Sequence, residues 1–197
     1  MDWRIYHAVY DVSVHHHWVG SVFHGIEQAS IPFMVVATVA LWLLARPGGD
    51  RKWKLAAGSG LGAAGVALVV NVVLHSAWDR PRPYEAHRIS HPWSSSTDAS
   101  FPSDHASASL AIAFAVLAFD SLAGALLLAA AVLVTVGRVF IGAHYPSDVG
   151  ASLLVAAASA FVVVRFGRPV VAFLVRVIER VTDPVLALLW RRRSPAA

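Results

Sequence analysis

The chain has 197 residues, of which 57% are hydrophobic and only 14% are charged, and its mean hydropathy is +0.60. Soluble globular proteins carry about 25% charged residues, so this composition indicates an integral membrane protein. Cysteine is absent, which excludes disulfide bonds and thiol chemistry. The formal net charge is +4, and much of the positive charge lies near the ends of apolar runs. We interpret it as a membrane-orientation signal rather than a nucleic-acid signal.

The first residues combine aromatic and polar side chains. Trp3, Tyr6 and Tyr10 stand among polar neighbours, and Trp and Tyr favour the headgroup level of a bilayer. We therefore expect residues 1 to about 20 to form a short interfacial helix. The run 15–17 is three consecutive histidines, which point in different directions on a helix. It indicates a polar surface rather than a metal site.

Five apolar segments follow, and each predicts a membrane span. They are 29–45, 55–74, 106–119, 121–136 and 149–166. The third and fourth are shorter than the ~20 residues that cross a bilayer. We expect their helices to recruit 103–105 and 138–141, which brings polar groups close to the membrane boundary. The last segment, 169–191, is apolar but carries Arg176 and Glu179, so we expect an amphipathic surface helix, with a sixth span as the alternative.

Basic residues predict the orientation of this bundle. The turn 46–54 contains Arg46, Arg51, Lys52 and Lys54. Short basic loops of this kind stay in the cytoplasm. With five spans, the N-terminus, the polar loop 75–102 and the turn 137–148 then share the extracytoplasmic face. The expected fold is one all-α domain over residues 1–197 in the plasma membrane, a bundle of five to six transmembrane helices with an N-terminal interfacial helix.

Two arginines follow the second apolar segment, in the sequence Arg80-Pro81-Arg82-Pro83. Proline stiffens this stretch and prevents it from continuing the helix. Guanidinium groups bind phosphate oxygens through paired hydrogen bonds, so Arg80 and Arg82 are candidate phosphate ligands. A pair of arginines whose charged ends reach the membrane surface is the alternative.

A second polar group, Ser103-Asp104-His105, directly precedes the third apolar segment. Ser103 is placed to cap the helix, and the free amides of a helix N-terminus bind anions. His105, in the first turn, is placed to donate a proton to a leaving oxygen. Plain helix capping beside an incidental histidine is the alternative.

The third group lies in the stretch 137–148, between the fourth and fifth apolar segments. His144 and Asp148 are four residues apart and share one face of a helical turn. A carboxylate that holds an imidazole in one tautomer suits attack on a phosphate. We predict that His144 is the nucleophile, that Asp148 orients it and that Arg138 binds phosphate. The alternative, a helix beginning at Pro146 and an arginine at a helix end, leaves His144 unexplained.

These three groups carry a family resemblance. They read Arg82-Pro83, Pro102-Ser103-x-His105 and Arg138-x5-His144-x3-Asp148. In this order they resemble the signature motifs of the type 2 phosphatidic acid phosphatase (PAP2) superfamily, membrane phosphatases related to vanadium haloperoxidases. The Pro-Ser-Asp-His form, the Arg-Pro-Arg-Pro sequence and the small size are most similar to the bacitracin-resistance type of undecaprenyl-diphosphate phosphatase.

The resemblance implies a two-step phosphatase reaction that recycles the cell-wall lipid carrier. His144 would attack the terminal phosphorus of undecaprenyl diphosphate to form a phosphohistidine, and His105 would protonate the departing lipid phosphate. Water would then release inorganic phosphate. Arg82, Arg138 and Ser103 would hold the phosphate oxygens. The family implies no metal or other cofactor. The expected partners are a lipid phosphate and membrane lipids, without nucleic acid.

Three positions depart from the family pattern. His75 stands where the family has a lysine. As a neutral histidine it can still donate a hydrogen bond to phosphate, and Arg80 is a candidate to replace the missing charge. Asp104 stands in place of a glycine within the phosphate-binding motif, so we expect its carboxylate to point away from phosphate or to pair with Arg80 or Arg88. Gly137 replaces a serine, which removes one hydroxyl ligand.

Other functions remain open at this level. A phosphatase for phosphatidylglycerol phosphate or phosphatidic acid would use the same chemistry. A helical transporter would need polar residues inside its spans, where Asn71 is the main one. The collection of polar groups at one end of the spans favours a lipid phosphatase.

Overall fold

The computed structural model describes residues 2–87, 89, 93 and 96–191, and within them the protein is all-helical, without strands. The helices are α1 (Asp2–His15), α2 (His17–Leu44), α3 (Lys52–Ala77), α4 (Pro83–Ala86), α5 (Asp104–Leu117), α6 (Ser121–Phe140), α7 (Pro146–Arg165) and α8 (Arg168–Arg191). This confirms the predicted all-α class.

Four of the described helices, α2, α3, α6 and α7, are long and apolar enough to cross a membrane. The fifth apolar helix, α5, has 14 residues and lies at the centre of the bundle, packed against α3, α6 and α7. Small residues let α3 and α5 approach closely, as at Gly60 of α3, where an added Cβ would lie 3.3 Å from Val116 of α5. Outward-facing Leu, Val and Phe side chains cover the spans, as expected of a multi-pass membrane protein.

Helix boundaries extend beyond the apolar segments. The predicted recruitment of polar residues is confirmed for Asp104 and His105 in α5 and for Arg138 in α6. The first span begins at His17, well before the predicted residue 29, and the N-terminal helix ends at His15 rather than near residue 20. Apolar composition identifies the stretch that suits hydrocarbon, but polar residues can continue the same helix outside it.

The N-terminal helix α1 is packed onto the turn between α6 and α7. Tyr6 and Tyr10 are buried, and their rings stack at a centroid distance of 5.6 Å. The Tyr6 hydroxyl donates to the carbonyl of Gly142 at 3.3 Å. Gly142 has φ +77°, and a Cβ there would lie 2.8 Å from the Tyr10 ring, so the turn requires glycine. The helix predicted to lie at the interface therefore also covers one side of the polar cluster.

Helix α8 packs along the beginning of α3. Val175 packs against Gly58, and Glu179 of the next turn binds Arg51 at 2.8 Å. The Nζ atom of the buried Lys54 lies 3.2 Å from Glu179 and 2.6 Å from Asp183. Among the described helices, α8 is not one of those apolar enough to span. The choice between an amphipathic surface helix and a sixth span stays a prediction. Arg192 and Arg193 of the terminal basic run lie outside the described residues.

We expect the substitution Lys54→Ala to detach α8 from α3. It would leave Asp183 without its cation and Glu179 with Arg51 alone, and breaking a buried ion pair in this way costs roughly 3 kcal/mol or more. Thermal unfolding in detergent measures the loss. The matched control is Lys52→Ala, which removes an exposed lysine paired with Asp120 at 2.8 Å. Equal destabilisation by both substitutions would contradict the assignment.

Candidate active site

The three sequence motifs meet at one end of the bundle. The chain leaves α3 there, enters α5, leaves α6 and enters α7, so residues at these four helix ends become neighbours. They enclose a cavity of about 230 Å³. Its walls include Arg82, His105, Arg138 and His144, as well as His75. The predicted convergence of polar groups is therefore observed among the described residues.

His144 is buried at 1% exposure, with its ring fixed on both sides. Its Nδ1 lies 2.7 Å from the carbonyl oxygen of Ser100. A carbonyl only accepts hydrogen bonds, so Nδ1 carries the proton and Nε2 presents its lone pair to the cavity. Nε2 lies 3.3 Å from Nη1 of Arg82 and 3.1 Å from Nη2 of Arg138. Burial, together with these two guanidinium groups, lowers the pKa of His144 to about 4. The imidazole is therefore neutral and nucleophilic at pH 7.

The depressed pKa of His144 gives a direct pH prediction. We expect the imidazole to titrate with a midpoint near 4, below the ordinary value of about 6.5 for histidine. The unfolded chain binds this proton first as the pH falls, so stability is lost between about pH 6.5 and pH 4. NMR of histidine-labelled protein measures the midpoint, and the signal is assigned by its absence from His144→Gln. A midpoint near 6.5 would contradict the buried, neutral state.

Asp148 supports His144 through an intermediate residue. Its Oδ2 is 3.8 Å from His144 Nδ1, which is too long for a hydrogen bond. The same oxygen accepts from Ser100 Oγ at 2.6 Å and from the Tyr145 amide at 2.9 Å. Asp148 thus fixes Ser100, and the Ser100 carbonyl fixes the imidazole. The predicted direct contact is corrected accordingly.

Arg80 lies behind the site instead of in the cavity. Its guanidinium binds the carboxylate of Asp148, donates to Ser147 Oγ at 2.7 Å and pairs with Asp2 at 2.7 Å. It also lies over the Tyr145 ring, 4.2 Å from the centroid. The prediction of Arg80 as a phosphate ligand is not supported by this placement, because acidic partners occupy its donors. Its contacts join α1 to the start of α7.

Arg82 and Arg138 are the guanidinium groups that face the cavity, and both are less than 5% exposed. Arg82 is anchored by its Nε, which donates to the carbonyl of Asp98 at 2.9 Å. Arg138 forms an ion pair with Glu27 of α2, and its Nε is buried without a hydrogen-bond partner. Both arginines direct donors towards the point that His144 Nε2 faces. A phosphate at this point would meet donors from two sides.

Ser103 and His75 differ in their positions. Ser103 stands at the N-cap of α5, but its hydroxyl makes no capping hydrogen bond and is buried without a partner. The predicted capping is therefore wrong; the Ser103 amide instead donates to Ser152 Oγ of α7 at 2.9 Å. His75 lines the cavity, and its Nε2 lies 3.0 Å from the carbonyl of Pro102.

The two remaining departures from the family pattern have local explanations. Asp104 accepts a hydrogen bond from the side chain of Asn71 at 2.6 Å, so one carboxylate oxygen is directed towards α3. It does not pair with Arg80, and Arg88 lies outside the described residues. At Gly137, an added Cβ would lie 2.9 Å from the Phe23 ring of α2, so the missing side chain makes room for that ring.

Two residues of the site carried little signal in the sequence. Glu27 is an isolated carboxylate at the start of an apolar segment, and its role appears only when α2 is placed beside Arg138. Ser100 holds His144 through its backbone carbonyl, which any residue possesses, and its hydroxyl, which binds Asp148, belongs to one of several serines in the loop before α5.

The sequence matches the family model of the PAP2 superfamily over residues 55–171. The chain belongs to the PAP2 superfamily. The matched segment contains all three motifs and the helices that carry them.

Individual relatives of this PAP2 protein agree with that assignment. The chain is 34% identical over 186 residues to undecaprenyl-diphosphatase BcrC of Bacillus subtilis (strain 168), which covers 93% of this chain and 94% of the relative. Its fold is similar to that of Aquifex aeolicus LpxE, with a TM-score of 0.67 and 19% identity over 84% of this chain and 95% of the other. It is also similar to a transmembrane PAP2 type phosphatidylglycerolphosphate phosphatase from Bacillus subtilis, with a TM-score of 0.62 and 20% identity over 85% and 86% of the two chains.

Proposed function

We propose that this PAP2 protein hydrolyses undecaprenyl diphosphate to undecaprenyl phosphate and inorganic phosphate, and so recycles the cell-wall lipid carrier. The observation that carries the proposal is the placement of a neutral His144 Nε2 between the donors of Arg82 and Arg138, on the wall of a cavity large enough for a phosphate group. The relationship to undecaprenyl-diphosphatase BcrC supports the substrate.

In the first step, His144 Nε2 attacks the terminal phosphorus. An N–P bond forms as the bond between phosphorus and the bridging oxygen breaks. His105, which takes up a proton from solvent when the anionic substrate binds, transfers that proton to the bridging oxygen. Arg82 and Arg138 stabilise the negative charge on the three equatorial oxygens. The buried Ser103 hydroxyl, which has no partner, is placed to donate to one of them. The lipid monophosphate departs and leaves a phosphohistidine.

In the second step, water attacks the phosphohistidine. His105, now neutral, accepts a proton from that water while the N–P bond breaks and its electron pair returns to His144 Nε2. Inorganic phosphate leaves. The proton on Nδ1 stays in place throughout, because the Ser100 carbonyl holds it and Asp148 holds Ser100.

The substrate is tested with purified protein in detergent. Rates of phosphate release are compared for undecaprenyl diphosphate, phosphatidylglycerol phosphate and phosphatidic acid. The proposal predicts the highest kcat/KM for the diphosphate. A higher value for either glycerophospholipid would replace the substrate while leaving the phosphatase reaction in place.

We further propose that the site opens to the extracytoplasmic face. The support is the basic turn between α2 and α3, which lies at the other end of the bundle from the cavity. The chain has no cysteine, so single cysteines can be introduced for labelling. On intact cells, a membrane-impermeant maleimide should label Thr97→Cys near the cavity and spare Asp50→Cys. The opposite pattern would reverse the orientation.

Glu27 is expected to limit phosphate binding. Its carboxylate occupies Arg138, so a bound phosphate must compete with it. In Glu27→Gln this competition is weakened, and we expect inorganic phosphate to inhibit about tenfold more tightly, since 1.4 kcal/mol changes an equilibrium tenfold. The inhibition constant measures the effect, with His16→Ala, at an exposed position outside the cavity, as the control. Weaker phosphate inhibition in Glu27→Gln would show that Glu27 assists phosphate binding.

A further inference from the structure

A second cavity, of about 450 Å³, adjoins the catalytic cavity. Helix α2 contributes His24, Gln28, Ile31 and Pro32 to its wall, and Trp93 closes another side. Glu27 and His105 line both cavities, whereas His144 and Arg82 line only the first. The two spaces therefore meet at the residue to which the proposed function gives the leaving-group proton.

The direction of attack decides what the second cavity receives. In phosphoryl transfer the attacking atom and the leaving oxygen lie on opposite sides of phosphorus. With Nε2 of His144 on one side, the leaving oxygen must lie on the other side, where the proposed function requires the proton of His105. The rest of the substrate, which is bonded to that oxygen, must then lie on the far side of His105 from the nucleophile. Among the described residues, the second cavity is lined by His105 and not by His144, so it is the candidate space for that group.

Polar and apolar groups follow one another along this cavity. His24 and Gln28 are one helical turn apart, and Gln28 Nε2 lies 2.9 Å from His24 Nε2. Ile31 and Pro32 lie about one turn further along the same helix. The carboxylate of Glu27 is directed towards Arg138 and also lies 3.3 Å from His24 Nδ1, so its charge is already paired. Gln28 Nε2 donates one hydrogen to His24 Nε2, so the imidazole carries its proton on Nδ1, which is buried without a hydrogen-bond partner. The second amide hydrogen of Gln28 and the Nδ1 hydrogen of His24 are therefore the donors on the wall that His105 also lines. Ile31 and Pro32 add apolar surface to the same wall.

We propose that His24 and Gln28 bind the phosphate that departs with the lipid, and that Ile31 and Pro32 contact the first carbons of its chain. This inference rests on the proposed function and extends it. When a lipid diphosphate reacts, its leaving group is a charged lipid phosphate, to which these donors can form hydrogen bonds. When a simple phosphate monoester reacts, its leaving group is an alcohol, which has no phosphate charge for these donors to bind. The second cavity would therefore make the enzyme selective for lipid diphosphates.

The test compares two substrates that differ in their leaving group. In the first step the leaving group of farnesyl diphosphate is farnesyl phosphate, whereas that of p-nitrophenyl phosphate is p-nitrophenol. For the double variant His24→Ala/Gln28→Ala we expect kcat/KM for farnesyl diphosphate to fall about 30-fold or more, because two hydrogen bonds to a charged group are lost. The value for p-nitrophenyl phosphate should change less than about twofold, because its leaving group carries no phosphate for His24 and Gln28 to bind. His16→Ala, an exposed histidine outside both cavities, is the control.

Each outcome has a distinct meaning. An equal loss with both substrates would assign His24 and Gln28 a structural role and overturn the proposal, as would unchanged activity with both. Wild-type protein that hydrolyses p-nitrophenyl phosphate but not farnesyl or undecaprenyl diphosphate would refute the proposed function instead. Should the double variant fail to fold, the single variant Gln28→Ala, at an exposed position, gives the same comparison with a smaller expected loss.

Discussion

Replacing His144 with alanine should reduce phosphate release by about 10⁴-fold or more, since removal of a nucleophile abolishes the covalent route. The structure leaves no second imidazole at the same place: among the described residues, His144 Nε2 is the ring nitrogen that lies within 3.3 Å of both Arg82 and Arg138. Initial rates with undecaprenyl diphosphate measure the loss. Brief incubation with substrate labelled on the terminal phosphate should also give an acid-labile, alkali-stable phosphoprotein in the wild type and none in the variant.

The control for this experiment is His16→Ala, at an exposed position between α1 and α2. It should retain wild-type turnover and labelling. Thermal unfolding of the variants separates loss of chemistry from loss of fold. Turnover by His144→Ala within tenfold of the wild type would remove His144 as the nucleophile.

Replacing Arg138 should produce a loss of similar size, even when the positive charge is kept. Arg138 is 3% exposed and reaches both Glu27 and His144. An arginine that stabilises transferring phosphoryl groups is worth about 10³–10⁵ in rate. Lysine keeps the charge but presents a single ammonium group instead of a planar fork. We therefore expect kcat/KM to fall about 10³-fold or more in both Arg138→Lys and Arg138→Ala.

A second variant separates catalysis from stability. Arg138→Ala leaves the Glu27 carboxylate without its ion pair in a largely buried position, which destabilises the bundle. The double variant Glu27→Ala/Arg138→Ala should regain thermal stability but not activity. Arg176→Lys, on the exposed side of α8, is the matched control and should keep full activity. Recovery of turnover in the double variant would show that Arg138 serves only to neutralise Glu27.

The roles of Asp148 and Arg80 illustrate how far a motif can be interpreted without coordinates. Spacing correctly brought Asp148 to the side of His144, but not on a shared helical turn: α7 begins at Pro146, so His144 lies before the helix and Asp148 in its first turn. It did not show that Ser100 would lie between them. Arg80 and Arg82 are equivalent as sequence, yet one guanidinium faces the cavity and the other faces Asp2 and Asp148. Arg80 and Arg82 are only two positions apart, but the backbone between them is irregular, so their side chains point in different directions.

Taken alone, the sequence determined the membrane class, the all-helical fold, the order of the three motifs and their location at one end of the bundle. These properties depend on local composition and on the alternation of helix direction, both of which are properties of the linear chain. The pairing of Glu27 with Arg138, across 111 residues, and of Ser100 with His144, across 44, was decided only by the tertiary structure. Such pairs form because helix packing brings together segments that are distant in sequence. Neither a lone carboxylate nor a backbone carbonyl belongs to a local sequence pattern from which its partner can be predicted.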